Sequence, residues 1–129
     1  MRSSTRTKAD QIVSDWMTET ARDVLSPLGV PVNVSMSLRV IKAINIVALE
    51  YVEITRTDEH CITALVTPHD GVPIPYTATI APKAGLCQCE CKDWERHAKT
   101  LGTQHWCKHG IATYLTHLQA AHAEGKHHV

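Results

Sequence analysis

The sequence predicts an α+β fold with an N-terminal helix, a small antiparallel sheet of three or four strands, and a C-terminal metal-bound β-β-α-like module ending in a helix. Three observations lead there. An apolar repeat of helical period runs from Ile12 to Leu25, alternating apolar segments joined by short turns fill the middle, and paired cysteines and a histidine precede a second helical repeat. The 129 residues suit one domain over 1–129. With three Trp, three Tyr and no Phe, its core must be mainly aliphatic.

Residues 1–6 are small, polar and basic and read as a flexible tail. Thr7 and Asp10 have capping-box spacing ahead of Ile12, Val13, Trp16, Met17, Ala21, Val24 and Leu25, which form the core-facing stripe of a helix that Pro27 and Gly29 stop. From Val32 the pattern alternates. Val32, Val34, Met36, Leu38 and Val40 fall on one face, with Asn33, Ser35, Ser37 and Arg39 on the other, which predicts a half-buried strand. Residues 41–50 suit either helix or strand, and β-branched content favours a strand over Ile46–Thr55.

The charged segment 56–60 predicts a turn before a strand over 61–67, with Cys61 as a small buried hydrophobe. His69, Asp70 and Gly71 lie between strands and read as a hairpin turn rather than a catalytic dyad. Residues 76–80 alternate again, and Pro82–Gly85 form the next turn. The last helix starts near Cys107, with Ile111, Tyr114, Leu115, Leu118 and His122 on one face, and residues 123–129 form a second tail.

Thirteen basic residues balance thirteen acidic ones, so any contact with a polyanion has to come from a local patch rather than from net charge. The run 44–49 is far too short to span a bilayer, which needs about 20 apolar residues, and the basic N-terminus has no apolar segment behind it. A chain with these features is expected to be intracellular, in cytoplasm or nucleoid or nucleus, with no membrane partner. In that reducing setting an odd count of five cysteines favours metal-held thiolates over disulfides.

Cys89 and Cys91 form a C-x-C pair and Cys107 and His109 a C-x-H pair. In extended backbone i and i+2 share a side, so the first pair can converge on one ion. In an α-helix those positions lie about 200° apart. Cys107 must therefore precede the last helix while His109 sits in its first turn, where free N–H groups and the dipole favour thiolates. Gly110 would leave room for close approach. Three thiolates, a neutral imidazole and one Zn²⁺ make a closed, structural, singly negative site. Its loss is expected to unfold the chain from about residue 85 on. Cys87 shares the face of Cys89 and could take its place, and His97 and His105 also lie between the pairs.

Cys89-Glu90-Cys91 followed by Asp93 and Trp94, and Cys107-Lys108-His109 followed by Ile111, Ala112 and Leu115, resemble a SWIM-type zinc finger over residues 74–118. Tyr76–Ile80 is similar to the strand that leads into such fingers. The resemblance implies one structural zinc on Cys89, Cys91, Cys107 and His109, a β-β-α arrangement, and DNA binding or protein interaction rather than enzymatic activity.

Two functions follow as expectations. The first is a zinc-stabilised nucleic-acid-binding or nucleic-acid-complex accessory module, contacting DNA or RNA through Lys92, Arg96, Lys99 and Lys108, with Trp94 available to stack on a base. The second is a protein–protein interaction adaptor using the first helix or a sheet edge. No metalloprotease, nucleophile-elbow or phosphate-loop motif is present, so no enzyme is expected.

Overall fold

A computed structural model describes residues 8–68 and 74–127, with side chains described from Trp16 to Ala123. The capping-box Thr7, residues 1–6, the side chains of Ile12 and Val13, and the turn at 69–71 lie outside this set. In chain order the elements are helices α1 (Lys8–Leu25) and α2 (Val34–Ala48), strands β1 (Val52–Thr57), β2 (Ile62–Val66), β3 (Tyr76–Ala81) and β4 (Leu86–Cys89), and helices α3 (Lys92–Leu101) and α4 (Lys108–His127).

The predicted α+β class holds, with four strands in the antiparallel order β1-β2-β3-β4. β2 and β3 fall where alternation placed them, and their inner face is Ile62, Ala64, Val66, Ala78 and Ile80. Asp58 closes the β1–β2 turn, its Oδ1 accepting from the backbone N–H groups of His60 (2.9 Å) and Cys61 (2.8 Å). Cys61 lies outside β2 and is only half-buried, since the turn rather than the core holds it. A register shift between Ile54 and Arg56 kinks the edge strand β1.

The strand expected over Val32–Val40 is instead the first half of α2. Its alternation coincides with a helical set, Met36, Val40, Ala43 and Ile46, which is the set that is buried. Val34 and Leu38, assigned by alternation to the buried face, are exposed at 78% and 48%. Asn33 caps the helix, with Oδ1 accepting from Met36 N at 2.8 Å. The strand expected over Ile46–Thr55 starts only at Val52, after Glu50 turns the chain with φ 60°. The α1 stripe also differs from expectation. Met17, Ala21, Val24 and Leu25 face inward, whereas Trp16, about 100° round from Met17, is 55% exposed.

α4 packs across all four strands on one side and against α2 on the other, while α1 covers α2. Ile111 to Tyr114 are consequently buried on every side of the helix, and Leu118 emerges at 43% exposure. α4 runs on to His127, beyond the expected start of the tail at 123, because Ala120, Ala121, Ala123 and Lys126 are strong helix formers that outweigh Gly125.

Candidate metal centre

β4 ends at Cys89, and Cys91 is the N-cap of α3, its backbone extended and its sulfur accepting from Trp94 N at 3.4 Å. Cys107 immediately precedes α4 and His109 lies in its first turn. Strand end, cap, pre-helix residue and first turn thus converge. One ligand atom from each of Cys89, Cys91, Cys107 and His109 lies within 4.8 Å of all the others, and all four residues are buried.

This donor set fits zinc. Zn–S and Zn–N bonds of about 2.3 and 2.0 Å set tetrahedral ligand–ligand edges of about 3.5–3.8 Å, and Cys89 Sγ lies 3.8 Å from His109 Nδ1. All the cysteines are free of disulfides. Tyr76 packs on the His109 ring at 4.9 Å between centroids. Hydrogen bonds from Cys107 and Cys89 hold Cys91 well below the usual thiol range, while hydrogen bonding to Cys107 and Cys91, with burial, pushes Cys89 well above it. Cys107 is also raised, first through its hydrogen bond with Cys87. A metal ion would displace the thiol protons and compensate three thiolates.

Cys87, which the sequence left as an alternative to Cys89, stands outside the four-residue group. It is buried at 1% exposure, pairs with Ile80 across the sheet, and turns its sulfur onto Cys107 and onto the backbone of Gly110. A Cβ added at Gly110 would come within 2.3 Å of Cys87 Sγ. Gly110→Ala is therefore expected to lower stability by about 1–3 kcal/mol through overpacking. Adding Cys87→Ala should restore most of that loss in thermal melts, because the remaining Cys87 Cβ lies 3.6 Å from the new methyl group.

α3 was not anticipated, although its signals are present: the Cys91 cap, acidic Asp93 and Glu95 in the first turn, and basic Lys99 in the last. It turns Trp94 inward, where the indole N–H donates to Cys87 O at 2.9 Å, so this ring braces the metal loop rather than standing free to stack. Lys92, Arg96 and Lys99 are exposed, and Lys108 is half-buried.

Beside the thiolates lies a second polar group. Arg39 of α2 donates Nη2 to Asp93 Oδ1 at 2.7 Å and Nε to Oδ2 at 2.9 Å, and its Nη1 reaches Ser35 Oγ. His97 Nδ1 and His105 Nε2 each lie 3.3 Å from Asp93, their rings stacked with centroids 4.4 Å apart. Asp93, His97 and His105 have the chemistry of a metal triad, but the guanidinium already occupies both carboxylate oxygens. His97 Nδ1 also lies 3.0 Å from the backbone oxygen of Asp93, so its ring is engaged within α3. The cluster is an ion-pair network that ties α2 to the metal module. The Arg39 guanidinium holds the Asp93 carboxyl down at about 2. Asp93→Asn is expected to cost about 1–3 kcal/mol in denaturant melts, less than a fully buried pair would because Asp93 retains 30% exposure.

No family model matches the chain, and comparison with curated proteins and with solved structures found no match. The fold and the site together define an α+β chain with a buried Cys₃His cluster of generic zinc-binding type. No helix among the described residues is long and apolar enough to cross a membrane.

Proposed function

We propose that this chain is a SWIM-like, zinc-stabilised module that binds nucleic acid or works within a nucleic-acid complex, in a reducing intracellular compartment. The ion is structural: four protein ligands leave no open coordination position, so the module has no metal-borne catalysis. The observation that carries the reading is the outer face of α3. It begins one residue after ligand Cys91 and exposes Lys92, Arg96 and Lys99, none of which is in a salt bridge among the described residues. Their spacing of four and three residues stacks them on one side of the helix, so folding concentrates charge that the neutral composition conceals. Glu95 shares that side and tempers it. With Trp94 turned inward, phosphate contacts rather than aromatic stacking supply the affinity.

A protein-interaction adaptor remains the alternative, favoured by the exposed Trp16 on α1. A salt series separates the two. Binding to labelled oligonucleotides should weaken steeply as salt rises, with a log–log slope of about −0.7 to −0.9 per phosphate contacted. Absence of oligonucleotide binding at low salt would remove the nucleic-acid reading.

A further inference from the structure

α2 and the start of the metal module enclose a groove of about 560 Å³ between Val34, Leu38 and Lys42 on one side and Asp93 and Lys108 on the other. Its charges are not balanced. Asp93 is neutralised by Arg39, whereas Lys42 and Lys108 have no salt bridge among the described residues. One wall is apolar and open to solvent, since Val34 is 78% and Leu38 48% exposed.

The groove continues onto α3. Arg96 follows Asp93 by three residues and so lies about 60° round the helix from it, with Lys92 and Lys99 about 40° and 60° further. A cationic track, tempered by Glu95, therefore runs from Lys42 and Lys108 past the Arg39–Asp93 pair to Arg96, Lys92 and Lys99. Lys42 belongs to the N-terminal half of the chain, so the track depends on the packing of α2 against α4, which carries Lys108, and on the Arg39–Asp93 pair that ties α2 to the start of α3.

We propose that this groove and track bind single-stranded nucleic acid, with phosphates on Lys42, Lys108 and Arg96 and an unstacked base against Val34 and Leu38. The inference rests on the nucleic-acid reading above and names its ligand class and path. A polyanion meets the uncompensated lysines, and the apolar wall selects the single strand, because a duplex buries its base faces in its own stack while a single strand offers them to the protein.

The test uses the full zinc-loaded chain and a fluorescein-labelled oligothymidine of about 15 nucleotides, read by anisotropy at low salt, beside the same sequence as a duplex with oligodeoxyadenosine. The single strand is expected to bind more tightly. Lys42→Glu should weaken it about tenfold and flatten the salt slope by about 0.7 or more, and Leu38→Asp should weaken it similarly. Lys83→Glu, which lies away from the groove, should leave it unchanged. All three sites are exposed, and zinc content and melting temperature verify that each variant is folded. If the single strand binds but only Arg96→Glu weakens it, with Lys42→Glu and Leu38→Asp at wild-type affinity, the groove assignment fails while the function above stands. Equal affinity for the duplex overturns the single-strand assignment, and no binding to either probe overturns both readings.

Discussion

Stripping the metal with a strong chelator is expected to unfold this chain well beyond the residues that hold the ion. Structural zinc contributes about 10–16 kcal/mol of apparent folding free energy in small modules, against a total stability of about 5–15 kcal/mol for a typical domain. The sequence alone places the damage from about residue 85 on, but the fold extends it. α4 follows directly on Cys107 and holds His109 in its first turn, and it packs on every strand and on α2. Without the ion, three cysteines and a histidine crowd one buried point with no counter-charge, and the N-terminal end of α4 loses its anchor. Far-UV circular dichroism should show loss of both helix and sheet on chelation, with recovery on readdition of zinc under reducing conditions. Loss restricted to the local environment of the Trp residues would mean that the site is only a local clamp.

The second large effect is expected at Trp106, which is fully buried beside Cys107. Its indole N–H donates to Gly85 O at 3.1 Å, and its ring meets Tyr114 edge-on with centroids 6.4 Å apart. It also lies against Gly110, next to the ligands. Trp106→Ala should cost about 3–5 kcal/mol, combining lost burial with a cavity that the surrounding backbone cannot close. Trp106→Phe should cost less, since it keeps most of the apolar contact but leaves Gly85 O without its donor, a loss of about 1–3 kcal/mol. Urea melts of the zinc-loaded variants measure both. Equal, small losses would place Trp106 outside the cooperative core.

The Cys₃His cluster was legible in the sequence because few backbone geometries bring C-x-C and C-x-H to one point. Helical geometry alone requires Cys107 to precede the helix and His109 to enter it, and the structure places them so. β2 and β3 were legible because one face is buried and the other is not. α2 was misread because Val34 and Leu38 happen to alternate with Met36 and Val40, and only packing reveals that the first two face solvent. α3 was missed because its apolar content is thin, amounting chiefly to Trp94, Ala98 and Leu101. The Arg39–Asp93 pair joins residues 54 positions apart, and no local pattern announces such a partner. For the same reason the basic track from Lys42 to Lys99 could not be assembled from charge counting within the finger.

Whether Cys89, Cys91, Cys107 and His109 hold one structural zinc ion is decided by elemental analysis of natively purified, reduced, untagged protein together with its Cys107→Ala and Cys87→Ala variants. One zinc per chain is expected in the wild type, none in Cys107→Ala, and full retention in Cys87→Ala. Wild-type protein without stoichiometric metal, or zinc that disappears with Cys87 and stays without Cys107, would contradict this ligand set.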